Sequence, residues 1–323
     1  MSGEQRPTAK EIRHAAMLLR DGKLVAFPTE TVYGLGANAL DAQAVARIFE
    51  AKGRPVSSPI IVHVSNFEMV RSVAAEWPPA AQALATKFWP GPLTLVLRKT
   101  PAVPALVTAG LNTVGVRMPS HLVALALIEA AKMPIAAPSA NCFAQLSPTT
   151  AEHVRQGLGD RVDYILDGGA CAVGIESTVL SLADRTPVLL RPGGISRAQI
   201  EAVIGPVSQL LEASAEAHPS PGMHPRHYSP RTRLILVRNG AVPQQGNGAY
   251  LQLHFAPSSE VRTLVSMPAD PAEYAASLYR TLHELDSLGY DWIAVDAPHS
   301  DPEWDAIRDR LTRAATSEAK VPY

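Results

Sequence analysis

Short apolar runs alternate with stretches of helical period along the first two hundred residues, and this constrains the fold more than any other feature of the chain. Apolar runs at 23–27, 59–64, 93–98 and 113–117 are short enough to be strands, with further strands expected at 162–166, 177–182 and 187–191. Between them the spacing predicts helices over 8–20, 41–52, 67–75, 79–88, 121–132, 149–157 and 196–204. The last two open on candidate capping boxes, Thr149 to Glu152 and Ser196 to Gln199. Such alternation packs as a sheet covered by helices. The hairpin-like pair around Asp184-Arg-Thr-Pro187 adds antiparallel pairing, so an α/β fold with a mixed sheet is expected.

At 323 residues the chain exceeds the size at which one core keeps growing, so two domains are expected: 1–212, a linker at 213–233, and a small α/β domain over 234–323. Proline, glycine and histidine gather before Pro230, marking the linker. Beyond it, 234–237, 249–253 and 292–295 read as strands, and helical patterns follow Pro271 and Pro302. Twenty-nine basic against 30 acidic residues leave no global positive field, which argues against direct binding of nucleic acid. Two cysteines, Cys142 and Cys171, cannot build a disulfide scaffold; with no signal-peptide pattern and no membrane segment, a cytoplasmic protein is expected. His218, His224 and His227 match no standard zinc spacing, so no metal site is expected.

Chemistry concentrates where the first strand ends. Pro28-Thr-Glu-Thr31 supplies hydroxyls and a carboxylate, and Gly34 and Gly36 allow either close approach of backbone to a ligand or positive φ. The next helix delivers Lys52 and Arg54 at its C-terminal end. No G-x-x-x-x-G-K-[ST] or G-x-G-x-x-G run is present, so a nucleotide must be held by separated cations and hydroxyls. Lys52, Arg54, Arg117 and Arg191 each stand beside a glycine, a proline or a strand end, where a fixed charge can face a cavity; the bland alternative is four surface cations.

Ordered segments carry a resemblance: Phe27-Pro-Thr-Glu-Thr-Val-Tyr-Gly-Leu-Gly36, Ala51-Lys-Gly-Arg-Pro55, Pro59-Ile-Ile-Val-His63, Trp89-Pro-Gly-Pro-Leu-Thr94, Gly115-Val-Arg-Met-Pro119, Ala137-Pro-Ser-Ala-Asn141, Ser147-Pro-Thr-Thr-Ala-Glu-His153, Glu176-Ser-Thr178 and Leu190-Arg-Pro-Gly-Gly194. In this order they resemble the L-threonylcarbamoyladenylate synthase family, and the last third resembles the C-terminal domain of its longer members. The resemblance implies a twisted mixed sheet with helices around a concave cavity, YrdC-like, followed by a small Rossmann-like α/β domain. It implies an enzyme, a nucleotidyltransferase, that joins L-threonine, bicarbonate and ATP with Mg²⁺ and passes its product to a tRNA threonylcarbamoyl transferase for modification at position 37.

Carried over residue by residue, Lys52, Arg54 and Arg191 are the expected catalytic cations. Ser58, Thr113, Ser139, Asn141, Ser147 and Tyr228 join them around ATP, Tyr228 as a lid. Thr31, His63, Arg117, the Ala137 backbone and Ser177 would recognise threonine. Phe143 and Ala144 stand where the family has serine and glycine, and Ser57-Ser58 replaces a more polar or acidic pair. The rival from another class is a double-stranded RNA-binding or ribosome-associated module, which the balanced charge disfavours. A carbamoyl-transfer role of the hydrogenase-maturation kind would need cysteine-rich zinc modules that two cysteines cannot supply.

Overall fold

The computed structural model describes residues 7–209 and 227–315; the expected linker residues up to 226, with His218 and His224, lie outside them. The chain divides into two compact units, Met1–Phe143 with Ser147–Met223, and Ala144–Leu146 with His224–Tyr323. The second unit thus takes in 227–233, which the sequence reading gave to the linker, and a short loop from the middle of the chain. Ser229 N–H donates to Ala144 O at 2.9 Å within that unit.

In the first unit the elements run α1 (Ala9–Arg20), β1 (Val25–Phe27), β2 (Gly34–Asn38), α2 (Ala42–Lys52), β3 (Val62–His63), α3 (Phe67–Val73), α4 (Pro79–Phe88), β4 (Leu93–Arg98), β5 (Thr113–Arg117), α5 (Leu122–Ala131), β6 (Ile135–Ala136), α6 (Ala151–Leu158), β7 (Tyr164–Ile165), β8 (Thr178–Ser181), β9 (Val188–Arg191), α7 (Arg197–Ile204) and β10 (Ser208–Gln209). The strands join in one sheet ordered β10-β9-β8-β4-β5-β3-β6-β2-β1-β7. It is mixed, as expected: β4 runs parallel to β8 and antiparallel to β5, and β8 and β9 form the anticipated hairpin.

Strand periodicity divides the core. Val25 and Phe27 of β1 join α1 and α5 in one cluster, while Leu24 and Ala26 join α2 in another. Both helices carry the expected apolar side, Ala15, Ala16 and Leu19 on α1 and Val45, Ile48 and Phe49 on α2. Asp41 caps α2 by accepting from Gln43 and Ala44 N–H, and Gly53 ends it in the left-handed conformation, φ +61.

Two readings need correction. Residues 34–38 form a strand, not a turn, and neither Gly34 nor Gly36 has positive φ. A Cβ on Gly36 would lie 2.8 Å from the Phe27 ring and 2.9 Å from Ile135, so the glycine admits the chain's own packing, not a ligand. The capping box read for α6 does not form: Thr150, not Thr149, is the N-cap and accepts from His153 N–H, and with His153 at N3 no reciprocal bond closes, while the Thr149 hydroxyl lies 3.4 Å from the His153 ring. The Ser196–Gln199 box forms as read.

In the second unit β11 (Arg233–Val237), β12 (Gly248–Gln252), β13 (Thr263–Ser266) and β14 (Trp292–Asp296) form a parallel sheet ordered β11-β14-β12-β13, with α8 (Pro271–Asp286) and α9 (Asp305–Ala314). The Rossmann-like expectation holds in its parallel pairing. Among the described residues no helix is long and apolar enough to cross a membrane.

Candidate active site

Strand register gathers the expected residues on one face of the first sheet. Thr113, Gly115 and Arg117 alternate along β5, so they share a face. His63 is the registered partner of Arg117, and Arg191 that of Val179, which in turn pairs with Thr94. A recess of about 310 Å³, open solvent included, lies on this face, lined among others by Pro59, Ile61, Thr94, Thr113, Gly115 and Val179.

The four expected cations are all buried: Lys52 is 3 %, Arg54 7 %, Arg117 3 % and Arg191 4 % exposed, and none of them is among the residues that line the recess. The surface-cation alternative fails on these values. Lys52 donates from the end of α2 to Ser139 O at 2.5 Å, to Asn141 O, and to Asn141 Oδ1 at 3.4 Å, which fixes the loop after β6. Phe143 N–H returns a bond to Lys52 O at 2.8 Å. Ala144, where the family has glycine, takes φ +65, a conformation that costs glycine nothing. Burial, and then the charge of Arg54, hold the Lys52 ammonium well below the usual lysine range. Arg54 reaches Ser58 Oγ at 2.6 Å and Pro59 O at 2.9 Å, so it abuts the wall of the recess.

Arg191 is clamped on Ser177: Nε and Nη2 donate to Ser177 O at 3.1 and 2.9 Å, and Nη2 to Ser177 Oγ at 3.2 Å. Ser177 Oγ also lies 2.8 Å from Thr94 Oγ1. One residue beyond the registered pair Leu95 and Val116, Thr94 stands opposite Arg117. Gly193 is obligatory beside it, since a Cβ there would meet Thr178 N at 2.2 Å. Ser147 donates to Glu176 Oε1 at 2.5 Å.

Arg117 donates through Nη1 to Thr31 Oγ1 at 2.9 Å and through Nε to Gly91 O at 3.2 Å. Its Nη2 lies 2.7 Å from Oε1 of Glu30, a buried ion pair. The sequence reading noted the Glu30 carboxylate but gave it no partner or role, since a lone carboxylate carries no spacing signal. Thr31 Oγ1 is also 2.8 Å from Thr29 Oγ1. His63 packs edge-on against Phe27; burial, and then the charge of Arg117, push its pKa down to about 3, so its imidazole is neutral. Ala137 N–H is committed to Ile61 O at 2.9 Å, so any recognition by that backbone falls to the carbonyl.

Tyr228 belongs to the second unit. It is buried there at φ +60, with Arg310 5.2 Å from its ring centroid and the His227 ring centroid at 4.1 Å. Among the described residues no group of three or more His, Cys, Asp or Glu side chains could cage a metal.

The described residues of the first unit therefore bury four cationic side chains and two carboxylates, Glu30 and Glu176. Buried charge is costly to hold, and guanidinium and ammonium groups of this kind suit an anionic ligand.

Known proteins match both units. A family model described as "Telomere recombination" (Sua5, YciO, YrdC) covers residues 17–193, and one described as "Threonylcarbamoyl-AMP synthase, C-terminal domain" covers 195–316. The threonylcarbamoyl-AMP synthase of Pyrococcus abyssi is 44% identical over 319 residues, 94% of each chain. That of Bacillus subtilis is 43% identical over 94% of this chain and 93% of its own. The crystal structure of P. abyssi Sua5 complexed with L-threonine superposes with a TM-score of 0.89 at 41% identity, over 96% of each chain. With similarity running through both units and nearly the full length of these relatives, the chain belongs to the threonylcarbamoyl-AMP synthase family.

Proposed function

We propose that this protein joins L-threonine, bicarbonate and ATP into L-threonylcarbamoyladenylate with release of pyrophosphate, as a cytoplasmic nucleotidyltransferase whose product serves a tRNA threonylcarbamoyl transferase acting at position 37. The observation that supports the reading is the burial of Lys52, Arg54, Arg117 and Arg191 in the first unit. A triphosphate supplies negative charge that matches them, and a small amino acid suits the hydroxyls of Thr29, Thr31 and Ser177.

In this reading Lys52, Arg54 and Arg191 face the phosphates, with Ser58, Thr113, Ser139, Asn141 and Ser147 around the nucleotide and Tyr228 as its lid. Thr31, His63, Arg117, the Ala137 carbonyl and Ser177 hold threonine. The amine becomes an N-carboxylate, an oxygen of which attacks the α-phosphorus as the bond to pyrophosphate breaks. Alignment of nucleophile and phosphorus can supply roughly 7–11 kcal/mol of the barrier. The fixed cations stabilise charge as it moves onto pyrophosphate without reorganising. Mg²⁺ enters as the companion of ATP, neutralising its phosphate oxygens, since the described side chains form no cage for it. Cations buried beneath the surface serve an RNA duplex poorly, which disfavours the rival reading.

Pyrophosphate release from ATP, measured with threonine or bicarbonate omitted in turn, tests the proposal. Dependence on both is expected, and release that ignores either would overturn it.

A further inference from the structure

The polar atoms around Arg117 that lack a directed hydrogen bond describe a ligand. Both carboxylate oxygens of Glu30, Nη2 of Arg117 and Nδ1 of His63 are buried with no hydrogen-bond partner among the described residues. Arg117 Nη2 and Glu30 Oε1 meet at 2.7 Å as an ion pair without hydrogen-bond geometry, which leaves Glu30 Oε2 and His63 Nδ1 with neither. The other Arg117 nitrogens are engaged, Nη1 by Thr31 and Nε by Gly91. The Glu30 main chain is also pinned, its carbonyl accepting from Val173 N–H at 2.7 Å. Buried charged oxygens without donors are rare in native proteins because their desolvation is uncompensated.

A guanidinium and a carboxylate that meet without a directed hydrogen bond, a free carboxylate oxygen on Glu30 and a neutral ring nitrogen are the complement of a zwitterion that also carries a hydroxyl. We infer that Glu30 binds the α-ammonium of the amino-acid substrate and accepts its proton, while Arg117 takes the carboxylate and His63 the side-chain hydroxyl. The inference rests on the proposed synthesis and adds to it a proton acceptor beside the amine.

The step balances. Glu30 takes one proton from the ammonium and leaves the amine. The amine nitrogen attacks the carbon of bicarbonate, the bond from that carbon to its hydroxyl oxygen breaks, and the hydroxide leaves as water with a second proton from nitrogen. The carbamate nitrogen is uncharged, so its attraction to Glu30 ends with the reaction, which favours release. The groups that face Glu30 are Arg117 from β5, His63 across Arg117 from β3, and the Cys171 thiol from the segment before β8.

Calorimetric titration with L-threonine and with (R)-3-hydroxybutyrate, which keeps carboxylate and hydroxyl but lacks the amine, reads this role directly. Wild type should prefer threonine by roughly tenfold or more, the worth of a charge-assisted bond. In Glu30→Gln the preference should collapse, with KM for threonine raised by a similar factor and pyrophosphate release slowed further. Glu30→Asp, which keeps the charge, should restore part of both. A folded Glu30→Gln protein that still prefers threonine as wild type does would overturn the inference. If the Gln variant fails to fold, Glu30→Asp decides: loss of the preference there overturns it, and retention supports it. Failure of the underlying reading would show separately, as wild type that releases no pyrophosphate with threonine, bicarbonate and ATP.

Discussion

Gly193→Ala tests whether the Arg191 clamp depends on backbone approach. An added Cβ would lie 2.2 Å from Thr178 N, 2.5 Å from Ser177 C and 2.7 Å from Glu176 O. All three are main-chain atoms at the entry to β8, and none can swing aside as a side chain can. Restoring even a 3.0 Å contact requires the segments to part by about 0.8 Å. Ser177 O, which accepts from Arg191 at 2.9 and 3.1 Å, would move with them to beyond bonding range. Overpacking costs roughly 1–3 kcal/mol, and weakened bonds to a charged group roughly 1.5–3 kcal/mol more. The expected loss of stability is therefore about 2.5–6 kcal/mol, a fall in Tm on the order of 10 °C for a unit of this size. Misplacement of a phosphate-facing cation by nearly an ångström should also slow pyrophosphate release by roughly 10²-fold. Gly205→Ala is the control: at φ +82 and ψ −167 with nothing within 4 Å, it carries backbone strain without a clash, roughly 1–3 kcal/mol, and should leave turnover intact. A Gly193→Ala protein with wild-type Tm and turnover would refute the reasoning.

Lys52→Ala and Arg191→Ala should each lower pyrophosphate release by roughly 10²–10³-fold in folded protein, and Lys52→Ala should cost a further 1–3 kcal/mol, about what one unpaired buried carbonyl costs. Wild-type turnover in either variant would contradict its role. His63 has a folded pKa near 3, below the ordinary value of about 6.5. The unfolded chain therefore takes up a proton that the fold refuses, so stability holds above pH 6.5 and falls as pH drops toward 3. Between pH 7.5 and 5, His63→Asn should remove about 2 kcal/mol of that fall in urea titrations; an unchanged slope would count against a buried neutral imidazole. Ser196→Ala removes the cap of α7 and should cost about 1 kcal/mol by thermal melts, with turnover unaffected.

Helical spacing was the most legible signal. The apolar faces of α1 and α2 and the placement of Lys52 at a helix end follow from residues three and four apart, a local property. Strand β2 was hidden because glycine is a poor strand former, and only the Phe27 ring lying across it explains why Gly36 is required there. Strand β13 was hidden too: Leu264 is exposed on this edge strand, so four residues leave little apolar pattern to read. The four cations were legible as types beside glycines and prolines, yet their burial was not, since it depends on register across strands far apart in sequence. Glu30 shows the same limit: its partner is fixed by β5, and nothing near Glu30 in the chain announces it.

The Ser177 hydroxyl has consequences for how the two substrates sense one another. It faces Thr94 on one side and Arg191 on the other, so a ligand that rotates it must disturb both contacts. Under the proposed assignment the amino acid and the nucleotide then share a single rotor. By thermodynamic reciprocity, whatever factor threonine imposes on the affinity for ATP, ATP must impose on the affinity for threonine.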